Sequence, residues 1–335
     1  MSEHKTQAIC TDDPYQPPQI VANPDGTFTR LGMDKFPIIP AKPDLDDDDP
    51  STVLTKDLTL NPNTKTWVRI FLPRKALDQN SSSFTKLPLI VYYHGGGFVY
   101  PGPSTSLAHA FCCKLAEFLP AVIVSVGYRL SPENRLPAAY DNGVEALNWL
   151  KATDEEWVRE YADVSNVYLM GSSSGGNLAY HVGLRVSLEV DGYDPLKIQG
   201  LILHYPFFGG SQRTGSEIRF VNDEILPLSS ADKMWELALP IGADRDHEYC
   251  NPTVMLNDGS RAKPLDEIKR LGWRILVKGV HGDPLIDREM EFAQMLKSRG
   301  IRVAEHYSEG YHGHDLLEPT KAETMFQVTK EFLRN

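Results

Sequence analysis

Ser173 stands between Gly171 and Gly175, with Ser172 and Ser174 completing a G-x-S-x-G pattern. An apolar run, residues 166–170, precedes it, and Gly176, Asn177, Leu178 and Ala179 follow. That order reads as strand, sharp turn, helix, the context in which such a serine becomes a nucleophile. A serine at the tip of a strained turn needs small neighbours two positions away, because larger side chains would collide across it. Of the three consecutive serines, only Ser173 has glycine at both places. The helix that follows would aim its positive N-terminal end at the reacting centre. The chemistry indicated is attack by an activated hydroxyl.

Such an attack creates an oxyanion, and upstream residues can receive it. The dense apolar run of residues 87–93 ends in His94, Gly95, Gly96, Gly97 and Phe98. Consecutive glycines leave backbone N–H groups uncovered, free to point at developing negative charge. The N–H of Ser174, directly after the nucleophile, would complete the hole. The plainer alternative is a flexible turn after a strand. His94 sits beside the glycines and before the nucleophile, a place better suited to holding the loop than to acting as the base.

An acid and a base are also in reach. Residues 273–279 look like a late strand, and Asp283 follows, fixed by Pro284. A carboxylate just past a strand end lies at the carboxyl edge of a parallel sheet, where such folds place their chemistry. Asp287 competes, but it falls about one turn into the next helix, near an entrance or in a structural pair. Capping that helix is the ordinary duty of either aspartate. Residues 301–307 have strand character, and the loop after them carries His312, Gly313 and His314. The chain order Ser173, Asp283, His312 matches an α/β-hydrolase rather than chymotrypsin-like or subtilisin-like orders. His312 occupies the expected loop tip. His314, beside Asp315, is the competitor and could be a surface residue.

The elements that position these groups can be read along the chain. Residues 52–59 and 66–72 alternate as antiparallel strands should. After residue 87 strand and helix patterns alternate: 121–126, 141–149, 166–170, 178–186 and 198–204, with a further helical stretch at 109–119. That alternation signals a mostly parallel sheet covered on both faces. Between 204 and 273 it lapses, and residues 225–227 and 234–239 read as an inserted helical lid. The expected architecture is one α/β domain over residues 1–335, with a cap built from about 1–50 and about 205–250. Phe98, Tyr100, Phe207, Phe208 and Trp235 could line an apolar pocket beneath it or equally pack in the core.

Composition excludes several function classes. The chain has 335 residues, is 41% hydrophobic and carries a formal charge of −11, with a pI near 5.4. That balance argues against nucleic acid as a partner. No run approaches the roughly 20 apolar residues of a membrane span, and the start of the chain lacks a basic segment followed by an apolar one. Asn80 formally begins a glycosylation sequon, read as a loop. Residues 44–49 form an acidic run, read as a solvated linker. Cys10, Cys112, Cys113 and Cys250 show no metal or redox spacing and fit a reducing cytosol. No metal and no other cofactor is implied.

These motifs carry a resemblance. Residues 92–98, 128–133, 136–141, 175–177 and 283–287 resemble the signatures of plant carboxylesterases, in the hormone-sensitive-lipase-like group of α/β-hydrolases. The similarity spans roughly residues 65–315. It implies the α/β-hydrolase fold, a triad of Ser173, Asp283 and His312, and hydrolysis of small-molecule carboxylic esters. Residue 172, commonly acidic in the wider group, is serine here, and residue 174, commonly alanine, is also serine. Neither change removes a catalytic atom. Some relatives are hormone receptors that typically lack the histidine base, and others are dehydratases, transferases or cyclases. This chain keeps both Ser173 and His312.

Overall fold

Short apolar runs alternating with amphipathic ones build an eight-stranded sheet, seen in a computed structural model that describes residues 20–44, 51–77, 85–100, 102–257, 262–318 and 321–334. Cys10, most of the acidic run and the Asn80 sequon lie outside the described residues. Two short strands, β1 (Ile20–Ala22) and β2 (Phe28–Arg30), pair with each other away from the main sheet. The main sheet contains β3 (Val53–Asn61), β4 (Thr66–Pro73), β5 (Leu87–Tyr93), β6 (Val122–Gly127), β7 (Ala162–Ser172), β8 (Ile198–His204), β9 (Arg274–Val280) and β10 (Arg302–Ser308). Their order across it is β10-β9-β8-β7-β5-β6-β4-β3. The pairs from β6 through β10 are parallel, while β4 runs antiparallel to both β3 and β6.

Strands in the middle of a sheet covered on both faces read as continuous apolar runs. Accordingly, every residue of β6 is buried. One face is packed by α2 (Ala138–Ala152), α4 (Ser174–Ser187), α7 (Lys263–Leu271) and α8 (Ile286–Ser298), through Leu147, Leu178, Val182, Ile268 and Phe292. The other is packed by α1 (Ser106–Phe118) and α10 (Ala322–Arg334), through Phe111, Leu115 and Phe326. A short α3 (Glu156–Tyr161) leads into β7. The strands expected from pattern all form, displaced by a few residues at most. Among the described residues, no helix is long and apolar enough to cross a membrane.

The segment between β8 and α7 holds α5 (Gly215–Arg219) and α6 (Leu228–Ala238). Residues 225–227 form no helix, because Pro227 is the residue on which α6 starts. Polar contacts tie α5 to α8, among them Ser216 N–H to Asp287 Oδ2 at 2.7 Å and Arg288 Nε to Glu217 Oε1 at 3.2 Å. On the other side of the mouth, residues 37–39 pair with the stretch before α1, through Ile39 N–H to Ser104 O (2.7 Å) and Ser106 N–H to Pro37 O (2.8 Å). Arg30 of β2 forks onto Glu133 at 2.8 and 2.6 Å and reaches the carbonyls of Ser131 and Val99. A short α9 (His314–Leu317) follows β10.

Candidate active site

The ends of four strands converge at the carboxyl edge of the sheet: β5 releases His94, β7 releases Ser173, β9 leads to Asp283 and β10 leads to His312. This is where a parallel sheet exposes backbone that its own ladder no longer uses. Ser173 has φ 55° and ψ −121°, a left-handed strained conformation, of the kind that costs about 1–3 kcal/mol. The surroundings enforce it. A Cβ on Gly171 would lie 2.0 Å from Gly175 O, and one on Gly175 would lie 1.9 Å from Tyr93 O. Ser173 N–H donates to His204 O at 2.9 Å. Asn177 pins the helix that follows: it accepts from Tyr140 and donates to the carbonyls of Phe207 and Tyr249.

The structure brings Ser173, His312 and Asp283 together. His312 Nε2 lies 3.0 Å from Ser173 Oγ, and His312 Nδ1 lies 2.6 Å from Asp283 Oδ2. The other oxygen of Asp283 accepts from Leu285 N–H at 2.8 Å, so this carboxylate both shapes the turn into α8 and faces the imidazole. Burial of the His312 ring pulls its pKa down, but the charge and hydrogen bond of Asp283 outweigh this, and the net direction is up. A ring held this way is oriented by one nitrogen and presents the other to the serine. Asp287 is not brought to the serine and instead accepts from the Ser216 amide in the first turn of α5. His314 is buried rather than superficial, its Nδ1 3.1 Å from Tyr311 O.

Gly95, Gly96 and Gly97 line the same cavity as Ser173. Gly96 (φ 108°) and Gly97 (φ 60°) have backbones that disfavour side chains, and a Cβ on Gly97 would meet Met234 Sδ at 2.1 Å. Ser174 opens α4 directly beside Ser173. Among the described residues, no carbonyl accepts from the amides of Gly96, Gly97 or Ser174, which leaves them available to an anion. His94 holds this loop: its Nδ1 lies 2.7 Å from Gly95 O, and its ring stacks on Tyr128 at 4.1 Å. Burial pushes the His94 pKa down to about 4, so the ring is neutral at ordinary pH.

Above these groups lies a cavity of about 280 Å³. Its apolar lining includes Met33 and Phe36 from the N-terminal segment, Ile225 and Met234 from the segment after β8, and Leu107 and Leu317. No lysine, arginine, aspartate or glutamate lines it among the described residues. Of the five aromatics expected there, only Tyr100 does. Phe98, Phe207, Phe208 and Trp235 pack in the core, with Phe207 stacked on Trp235 at 4.7 Å. A hydrophobic aromatic after a strand satisfies either place, and sequence does not separate them. Sequence reading also passed over Lys278, a lone cation inside the apolar run of β9, which lies buried behind the site with His204 and Asp315. A charge interrupting an otherwise continuous apolar strand was the signal that could have found it.

Comparison with known proteins agrees with this fold. A family model described as the alpha/beta hydrolase fold matches residues 90–316. Carboxylesterase 20 of Arabidopsis thaliana is 49% identical and is covered over 96% of each chain. A 3-O-acetylpapaveroxine carboxylesterase of Papaver somniferum is 46% identical over 96% of this chain and 99% of its own. Among solved structures, an esterase of Pyrobaculum calidifontis superposes with a TM-score of 0.67 at 25% identity, covering 83% of this chain and 84% of that one. The chain belongs to the α/β-hydrolase family and, within it, to the plant carboxylesterases.

Proposed function

We propose that this carboxylic ester hydrolase cleaves small uncharged esters through an acyl-enzyme formed on Ser173. The observation that carries the reading is the continuous chain Ser173 Oγ, His312, Asp283 at 3.0 and 2.6 Å, on the floor of an apolar cavity. His312 Nε2 takes the proton as Ser173 Oγ attacks the ester carbonyl carbon, and Asp283 stabilises the imidazolium that results. The carbonyl oxygen becomes an alkoxide held by the amides of the Gly95–Gly97 loop and of Ser174. His312 then returns the proton to the departing alcohol. Water, deprotonated by the same ring, attacks the acyl carbon and releases the acid.

The absence of charged side chains from the lining among the described residues favours substrates neutral on both the acyl and alcohol sides, since an unpaired charge would be costly to bring into such a cavity. We assign the N-terminal segment and residues 205–250 to a cap that sets how long those groups can be. A cytosolic location fits the free thiols Cys112, Cys113 and Cys250. The test is product analysis with purified protein across a series of neutral esters of rising acyl length. Acid and alcohol should appear in equal amounts, preceded by a burst of alcohol. An alkene or lactone in place of the acid would replace this reading by a lyase or cyclase, and tight binding without turnover by a hormone receptor.

A further inference from the structure

Directly behind Ser173 lies a second serine–histidine–aspartate chain, and none of its three members lines the cavity. Ser172 Oγ is 3.2 Å from His204 Nδ1, and His204 Nε2 is 2.8 Å from Asp315 Oδ2. Tyr92 O–H donates to Ser172 Oγ at 3.0 Å. Lys278 Nζ donates to Asp315 Oδ2 at 3.0 Å, and Tyr205 O–H donates to Asp315 Oδ1, also at 3.0 Å. Ser172, His204, Lys278 and Asp315 are each at most 2% exposed. His314 of α9 and Glu289 of α8 also face this cluster.

Lys278 Nζ also lies 3.0 Å from His204 Nε2, and either neutral tautomer of His204 satisfies the chain. Tyr92 donates to Ser172, and Lys278 and Tyr205 donate to Asp315. His204 either accepts from Ser172 at Nδ1 and donates from Nε2 to Asp315, or donates from Nδ1 to Ser172 and accepts from Lys278 at Nε2. His204 is then neutral, in keeping with burial, which pushes its pKa down to about 4. Burial raises the Asp315 pKa, but the facing His204 and Lys278 more than reverse this and hold it far below the usual carboxylate range. A buried ion pair of this kind is a poor source of net stability, because desolvation opposes the attraction. Its placement offers another role. The four groups come from the end of β7, the end of β8, the body of β9 and the helix that begins two residues after His312.

Tyr205 makes the link to chemistry. Its ring packs against the His312 ring at 4.9 Å between centroids, its hydroxyl is tied to Asp315, and its N–H donates to Lys278 O at 2.6 Å. We propose that Lys278 and His204, acting through Asp315 and Tyr205, are positioning residues that hold the His312 imidazole in line with Ser173. The inference rests on His312 being the base.

The test is single-turnover acylation by a saturating aryl ester in two folded variants. Tyr205→Phe keeps the ring on His312 and removes only the tie to Asp315; Lys278→Met/Asp315→Asn removes both buried charges together and so leaves neither uncompensated. Misplacement of a reacting group by a fraction of an ångström to 1 Å costs up to about 100-fold. Accordingly, Tyr205→Phe should lower the acylation rate about 3- to 10-fold and the double variant about 10- to 100-fold, each with KM within about threefold of the parent. Thermal melts must show both folded at the assay temperature. A parental rate in folded Tyr205→Phe, or losses carried by KM alone, overturns the inference. His312→Ala run alongside separates the two ideas. If it alone loses acylation, the cluster has no positioning role while the base assignment stands; if it retains the parental rate, the base assignment falls and this inference with it.

Discussion

Two serine–histidine–aspartate chains sit back to back in this molecule, one ending in an apolar cavity and the other sealed behind it. In the open chain, Asp283 drives the His312 pKa upward against the pull of burial. In the sealed chain, burial wins and the His204 pKa falls to about 4, because Lys278 offsets much of the Asp315 charge that would otherwise raise it. The same three residue types thus raise a histidine's pKa in one place and leave a histidine neutral in the other. Access to the cavity and the presence of a buried cation decide which. Triads are recognised by geometry and roles, and residue identity alone does not suffice.

The largest expected effect separates the two serines. Ser173→Ala should remove aryl-ester turnover by about 10⁴- to 10⁶-fold, whereas Ser172→Ala, which removes only the end of the sealed chain, should cost less than about tenfold. Steady-state kinetics free of contaminating esterase decide it, and comparable losses in both would erase the distinction. Next come the two loop histidines. His312→Ala should slow acylation by about 10³-fold or more, because Ser173 loses its proton acceptor. His314→Ala, which loses one contact to Tyr311 O, should stay within about tenfold. A crippled His314→Ala beside an active His312→Ala would move the base.

The histidines also predict opposite responses to pH. Acylation should rise with pH through a midpoint above the ordinary imidazole value of 6.5, since only neutral His312 accepts the proton and its pKa is raised. Stability has the reverse origin. His204 and His94 have folded pKa values of about 4, below their unfolded 6.5, so the unfolded chain binds their protons first as pH falls. Their contribution is present above about 6.5 and is lost between there and about 4. His312, with its folded pKa raised, contributes the other way, and its share is lost as pH rises through the folded value. Thermal melts from pH 7 down to 4 should therefore show a falling midpoint. A midpoint that stays flat over that window would mean that those two rings are not neutral struts. The smallest effect concerns the cavity. Met234→Ala should shift preference towards longer acyl chains by about 10-fold in kcat/KM, the low end of what one methylene in an apolar pocket is worth.

Much of this is legible in the sequence. Glycines two residues either side of Ser173 are demanded by backbone approaches of about 2 Å, and such steric rules are local, so they show in sequence. The strands and their parallel order follow from apolar runs alternating with helical ones. The aromatics did not sort themselves, because Phe207 and Trp235 are as apolar in a core as Tyr100 is in a cavity wall. The sealed cluster was not legible either. Ser172, His204, Lys278 and Asp315 lie up to 143 positions apart (172 to 315), each ordinary alone; the register of β7, β8 and β9 makes the first three neighbours, and α9 brings Asp315 to them.

The central claim is that Ser173 is the nucleophile and Ser172 is not, and one labelling experiment addresses it directly. An aryl phosphonate offered to the parental protein should inactivate it with one equivalent bound, because an activated serine attacks phosphorus to give a tetrahedral adduct resembling the transition state. Because Ser172 and Ser173 share a peptide, fragment-ion masses are needed to place the adduct. The account predicts the added mass on Ser173, and none in Ser173→Ala. An adduct on Ser172 or on another residue, or full esterase activity without any adduct, would contradict it.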